Sequence, residues 1–133
     1  MIRYKILSGK QLVYCKCFDK VTFAELYGHI EVLARDSEYQ RPMKKLVDYG
    51  EGELLGLSVD EAKRFTEQKA SYKDVFHGEK CALVMTRDLD FGMGRLHGAH
   101  MEPSGIETRV FRSIDEALLW LDVSLTDEDR IIE

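Results

Sequence analysis

The fold class follows from one apolar run, Cys81-Ala82-Leu83-Val84-Met85, which has the length of a β-strand. An uninterrupted apolar run of this length is typical of a strand that is covered on both faces. Four further strands are predicted, at residues 2–7, 11–18, 45–49 and 107–112. The first two are separated only by Ser8-Gly9-Lys10, a short connection that indicates a β-hairpin.

Helices are predicted between these strands by capping boxes, in which a Ser or Thr hydroxyl and a Glu three residues later satisfy free backbone groups. The three boxes are Thr22 with Glu25, Ser58 with Glu61, and Ser113 with Glu116. A fourth helix is predicted from Leu89 to Met101, although each of its glycines costs about 1 kcal/mol relative to alanine. Residues 50–53 are expected to form a loop.

The resulting order, β-β-α-β-α-β-α-β-α, predicts an α/β fold in a single domain. Its mixed five-stranded sheet should be parallel in the later strands and covered by helices. The second strand is apolar on both faces, so we expect it inside the sheet. We place the domain at residues 1–122, followed by an acidic tail at 123–133 that is expected to fray.

The charge balance argues against several classes of partner. The 133 residues include 19 Lys and Arg against 24 Asp and Glu, a net charge of −5. Nucleic acids and anionic membranes need clustered basic side chains, so neither is expected as a partner. The chain has no apolar run near the roughly 18 residues that predict a membrane span, and residues 1–20 lack the form of a signal peptide.

The three cysteines, Cys15, Cys17 and Cys81, predict reduced thiols in the cytoplasm. Cys15 and Cys17 lie two residues apart on a strand, so their side chains should share one face and act as small apolar residues.

Three stretches together resemble the SpoIIAA-like branch of the STAS domain superfamily. One is the hairpin followed by Thr22-Phe23-Ala24-Glu25-Leu26, and another is Lys45-Leu46-Val47-Asp48. The third is a C-terminal block of four segments in the order of that branch, at residues 81–84, 91–96, 109–112 and 116–121. The resemblance spans roughly residues 1–122 and implies a regulatory or binding domain without established catalysis.

The resemblance also draws attention to Ser58. Regulatory members of the superfamily antagonise anti-sigma factors and are switched by phosphorylation of a serine in an Asp-Ser-Ser-Gly loop. In this chain the corresponding stretch is Leu55-Gly56-Leu57-Ser58-Val59-Asp60, so Ser58 falls near the acceptor position but the signature is absent. Ser58 is therefore a candidate phosphoacceptor, while its role as helix N-cap is a sufficient reason for a serine there.

Two other patterns favour structural interpretations. Gly92-x-Gly94-x-x-x-Gly98 departs from the dinucleotide-binding G-x-G-x-x-G at its third glycine, so close packing against the sheet explains the glycines better. His97 and His100 are spaced to reach one metal ion, but no further ligand lies at a defining distance along the chain. No metal or other cofactor is expected.

A ligand or partner site is predicted at the carboxyl ends of the parallel strands, where open α/β sheets bind ligands. Its candidate residues are Asp48, Ser58, Arg87, Phe91, Met93 and Arg95. The segment 91–98 would act as a movable cover over an apolar pocket. The alternative is a rim of salt bridges with no ligand.

The function that the sequence favours is a non-enzymatic binding domain. It would recognise a protein partner, with a homodimer included, or a small apolar or anionic ligand. No Ser-His-Asp order, nucleophile elbow or carboxylate pair points to catalysis. The alternative is a small cytoplasmic enzyme that uses the rim charges and histidines. An apolar cavity between the sheet and residues 91–98 would favour the ligand, and a solid core would exclude it.

Overall fold

A computed structural model describes residues 1–54 and 58–132. Within them the strands are β1 (Ile2–Leu7), β2 (Leu12–Val21), β3 (Lys44–Leu54), β4 (Lys80–Val84) and β5 (Glu107–Phe111). The α-helices are α1 (Phe23–Ala34), α2 (Val59–Ser71), α3 (Lys73–Phe76), α4 (Asp88–Met101) and α5 (Ile114–Leu121). Among the α-helices of the described residues, the single turn α3 was not predicted.

The strands form one sheet in the order β1-β2-β3-β4-β5. β1 pairs with β2 in antiparallel fashion, and each later neighbour pairs in parallel. The predicted α/β class with a mixed five-stranded sheet is therefore confirmed, as is the interior place of β2. All three predicted N-caps are also present, because the hydroxyls of Thr22, Ser58 and Ser113 each accept a backbone N–H of the residue three positions later.

Helices cover both faces of the sheet and bury two apolar clusters. On one face, β2 and β4 contribute alternate residues such as Cys15 and Leu83 to a core shared with α1 and α2. On the other face, Tyr14 and Val84 pack with Leu118 of α5. Strand alternation places successive side chains on opposite faces, so the two strands supply both cores at once. This confirms the prediction of a β4 buried on both faces.

The predicted loop at residues 50–53 is wrong, because β3 continues through Leu54. β2 is long enough to pair with it, with Val21 opposite Leu54. The register shifts between Lys16 and Phe18, and there the two strands come very close. A Cβ on Gly52 would lie 2.8 Å from the Cβ of Cys17, so only glycine fits. Gly52, one of the two glycines that suggested a loop, is thus required for the close pairing of β2 and β3.

Two glycines of α4 let the helix lie close to the sheet. A Cβ on Gly94 would lie 2.8 Å from both Met85 and Val110, and one on Gly98 would lie 2.7 Å from the carbonyl oxygen of Thr108. The predicted packing role is confirmed for these two residues. It is wrong for Gly92, where an added Cβ meets nothing within 4 Å.

The C-terminal segment 123–132, expected from its composition to fray, makes hydrogen bonds and apolar contacts with the rest of the domain. Lys5 Nζ donates to the carbonyl oxygen of Ile131 at 2.7 Å, and Lys10 Nζ donates to that of Ser124 at 2.6 Å. Leu125 and Ile132 pack against the α5 face of the sheet. The prediction relied on the acidic composition of the segment and overlooked its apolar residues Leu125 and Ile132. No helix in the described part of the chain combines the length and the hydropathy that crossing a bilayer requires.

Candidate functional site

A partly enclosed cavity lies between the sheet and helices α1, α2 and α4. Its volume is about 50 Å³, several times the ~10–15 Å³ that one water molecule needs. The walls are mainly apolar and include Leu26, Val47, Leu83, Met85 and Met93. A mainly apolar lining with a few polar groups is typical of small-molecule sites.

Four of the partly exposed lining residues belong to α2 and α4, namely Ala62, Phe65, Met93 and His97. The cavity therefore meets solvent between these two helices. Its deeper walls come from α1 and from the central strands.

A buried ion pair lies beside the cavity. Lys69 Nζ and Glu79 Oε1 are 2.6 Å apart, with side chains 2% and 0% exposed. The Tyr39 hydroxyl donates to the other carboxylate oxygen at 2.7 Å. Burial opposes both charges, but the mutual attraction of the pair outweighs it, so the pKa of Lys69 is raised and that of Glu79 is lowered. Both residues are therefore ionised at neutral pH.

Lys45 is a second buried lysine in the cavity wall, and it is only 2% exposed. No carboxylate oxygen of the described residues lies within 4.0 Å of its Nζ, and none of their groups accepts a hydrogen bond from it. Buried lysines are rare unless they are paired. Its side chain thus places a polar group in the wall of a largely apolar space.

Two histidines, His29 and His97, also line the cavity, and both are held neutral. Burial, together with the nearby charges of Lys45 and Lys69, lowers the pKa of His29 and takes that of His97 to about 3. The ring of His97 stacks on Phe65, with 5.3 Å between centroids, and its Nδ1 lies 2.8 Å from the Thr66 hydroxyl. His97 thus packs between α2 and α4.

The three cysteines are free and buried, as the sequence predicts. Burial raises the pKa of Cys15 to about 12 and also raises those of Cys17 and Cys81. Since the thiolate is the reactive form, we expect these thiols to be unreactive in the folded protein. No group of three or more His, Cys, Asp or Glu residues within 1–54 and 58–132 could hold a metal ion.

Of the six predicted site residues, the structure brings Met93 into the cavity. Asp48 is not at a strand end, because β3 continues beyond it, and its Oδ1 accepts the backbone N–H of Gly50 at 2.8 Å. Its neighbours Val47 and Tyr49 line the cavity, so alternation turns Asp48 toward the opposite face of the sheet.

Ser58 is exposed and caps α2, where its hydroxyl oxygen accepts the N–H of Glu61 at 3.1 Å. Residues 55–57 of the stretch compared with the Asp-Ser-Ser-Gly loop lie outside the described residues.

The charged residues after β4 and β5 form a rim of ion pairs. Arg87 reaches Glu53 at 3.5 Å and Asp90 at 3.7 Å. Arg112 reaches Asp88 at 2.8 Å and lies over the ring of Phe91, 4.2 Å from its centroid. These contacts match the salt-bridged alternative that the sequence left open. Arg95 is exposed on α4, away from the cavity wall.

The polar residues of the lining, above all Lys45, Lys69 and His29, were not predicted from the sequence. One signal was present for Lys45: it alternates with Val47 and Tyr49, so it shares their buried face. Lys69 and Glu79 carry no such signal, since surface helices and loops are rich in both residue types.

A scan against protein-family profiles gives no match, and neither does a search of curated proteins. A search of solved structures finds an uncharacterised protein of the DUF3478 family with a SpoIIAA-like fold, from Shewanella loihica PV-4. The alignment has a TM-score of 0.59 and 19% sequence identity, and covers 90% of this chain and 93% of that chain. At this identity the likeness concerns the fold, and it agrees with the resemblance drawn from the sequence. The chain therefore has a SpoIIAA-like fold.

Proposed function

We propose that this protein is a binding domain whose cavity takes a small, mainly apolar ligand. The observation that carries the proposal is the cavity of about 50 Å³ between the sheet and α4, lined by Val47, Leu83, Met85 and Met93. An apolar cavity at this place, in contrast to a solid core, is the feature that favours a small ligand. A regulatory or binding role is also typical of STAS domains, which the SpoIIAA-like fold resembles.

Binding can be tested with a variant that fills the cavity without removing a polar contact. Ala62 lies in the wall on α2, so Ala62→Leu places three more carbons in the space. Ala99 is exposed on α4, so Ala99→Leu is a matched control. Each protein is titrated with hexanamide and with 1-hexanol, and its affinity for each probe is obtained from the NMR chemical-shift changes.

We expect the wild type and Ala99→Leu to bind at least one of these probes, and Ala62→Leu to bind it about tenfold more weakly, since tenfold equals about 1.4 kcal/mol. Equal affinity in all three proteins would place binding elsewhere on the molecule. An absence of binding to the wild type by these probes and by their charged relatives would overturn the proposal. Native mass spectrometry of protein from its own cells then identifies the natural ligand.

Three predictions from the sequence stay predictions. A protein partner and a homodimer are checked by affinity capture and by light scattering. Phosphorylation of Ser58 is checked by intact mass across growth conditions; its exposed side chain leaves it accessible to a kinase. A phosphate at this helix N-terminus would be stabilised by the helix dipole and repelled by Asp60 and Glu61.

A further inference from the structure

We infer that the ligand of this cavity is an amphipathic anion, a monocarboxylate with an apolar tail, and that Lys45 binds its carboxylate. The inference rests on the proposed function and adds the chemical class of the ligand. Three features of the cavity carry it: the unpartnered Lys45, the charge balance around it, and the order of polar and apolar residues along β3 and β4.

The charge balance leaves Lys45 without a counterion in the described part of the chain. The other lysine of the lining, Lys69, is neutralised by Glu79 at 2.6 Å. Glu79 Oε2 is occupied by the Tyr39 hydroxyl, so both oxygens of this carboxylate are engaged. His29 adds no charge at neutral pH. An incoming anion is therefore the group that satisfies Lys45.

The position of Lys45 gives the ligand a direction. In the register of the sheet, Lys45 lies opposite Cys81, and Val47 lies opposite Leu83. Tyr49 continues the same face of β3, about 13 Å from Lys45 at ~3.3 Å per residue. Lys45 thus lies at one end of this stretch of the wall, and the apolar side chains of Val47 and Leu83 follow it along the strands.

A small inorganic anion would satisfy only the charge of Lys45 and not the apolar part of the wall. A chloride or phosphate at Lys45 would leave the space beside Val47, Leu83 and Met93 unfilled. A carboxylate with an alkyl or aryl tail satisfies the charge and fills the apolar part together. Charge-assisted hydrogen bonds of this kind are among the strong ones in proteins.

The test compares ligands that differ in charge but not in shape. Octanoate and octanamide have the same tail and nearly the same head, and acetate has the head without the tail. Isothermal titration calorimetry with each probe is carried out on the wild type, Lys45→Met and Lys44→Met. Lys44 is the matched control, because it precedes Lys45 on β3 and its side chain turns to the other face of the sheet.

We expect the wild type and Lys44→Met to bind octanoate at least about tenfold more tightly than octanamide, as a charge-assisted hydrogen bond allows. Acetate should bind much more weakly than octanoate. Lys45→Met should lose the preference for octanoate over octanamide and should bind octanamide as tightly as the wild type does. Thermal unfolding checks the fold of each variant, and Lys45→Met should remain folded because it removes an unpaired buried charge.

The contrary results are distinct. Equal affinity of the wild type for octanoate and octanamide would overturn the anionic ligand while leaving the proposed function in place. A preference for octanoate that survives in Lys45→Met would overturn the role of Lys45. Acetate binding as tightly as octanoate would overturn the apolar tail. Failure of every probe to bind would overturn the proposed function itself.

Discussion

The buried pair of Lys69 and Glu79 offers the sharpest test of how this cavity is held together. Glu79→Gln keeps the shape of the side chain and removes its charge. The Lys69 ammonium, 2% exposed, then loses the partner that lies 2.6 Å away. Lys45 lines the same cavity, so two buried lysines would then lie in its wall without the Glu79 carboxylate.

The expected loss is large because the remaining charge is buried. Breaking a buried pair by removing one partner costs about 3–5 kcal/mol, since the other ion is left uncompensated. The Tyr39 hydroxyl, which donates to Glu79 at 2.7 Å, can still donate to the amide oxygen of glutamine. We therefore expect a loss of about 3–5 kcal/mol against a total of ~5–15 kcal/mol for a domain of this kind.

The assay is urea unfolding followed by circular dichroism at pH 7, with Glu31→Gln on the exposed face of α1 as the control. The control should change the free energy of unfolding by less than about 0.5 kcal/mol. Replacing both partners, as Lys69→Met with Glu79→Gln, should recover much of the loss, because neither charge is then buried alone. A loss below 1 kcal/mol for Glu79→Gln would refute the account of the pair.

The same pair sets a pH dependence with a defined sign. The pKa of Glu79 in the folded protein lies below its ordinary value of 4.5, so its stabilisation is present above that pH. It is lost as the pH falls from about 4.5 through the lower folded value. Glu79→Gln should therefore lack this part of the acid dependence. An acid limb identical to that of the wild type would contradict the assignment.

Three further predictions follow from buried groups and close contacts. The pKa of His97 in the folded protein is about 3, below its ordinary value of 6.5. The free energy of unfolding should therefore decrease as the pH falls from 6.5 to about 3, and this decrease should be smaller in His97→Asn. Gly98→Ala should cost about 1–3 kcal/mol, because its Cβ would meet the Thr108 carbonyl oxygen at 2.7 Å. Gly92→Ala, with open space around it, should gain up to about 1 kcal/mol. The Cys15 thiol, with its pKa raised to about 12, should react with Ellman's reagent only after unfolding.

Each of these has a result that contradicts it. A pH profile of His97→Asn that matches the wild type would place the acid sensitivity elsewhere. Equal unfolding free energies for the two glycine variants would contradict the close approach of α4 to β5. Prompt labelling of a thiol in the native protein would mean that the cysteines are more accessible than their burial indicates.

Much of the fold was predictable because strands and helices leave periodic patterns. The apolar run of β4 predicted its two covered faces, and both are covered. The hydroxyls of Thr22, Ser58 and Ser113 predicted helix starts that the structure contains. These signals are local, because strand alternation and N-capping involve residues only a few positions apart.

The extension of β3 was not predictable from the same signals. Its glycines are ordinary turn residues in sequence, yet Gly52 is needed because Cys17 lies against it across the sheet. The position of Asp48 differs from the prediction for a related reason. A strand that continues to Leu54 places Asp48 in its middle, on the face away from the cavity.

The pattern of residues determines that Lys45 shares a strand face with Val47 and Tyr49, since alternation requires it. Whether that face opens onto a cavity, and whether the lysine has a partner there, depends on distances between elements that are far apart in the chain. The fold brings Glu79 within 2.6 Å of Lys69 and leaves Lys45 without a carboxylate among the described residues. Which of the two buried lysines, Lys45 or Lys69, forms the ion pair with Glu79 is therefore decided by the three-dimensional packing.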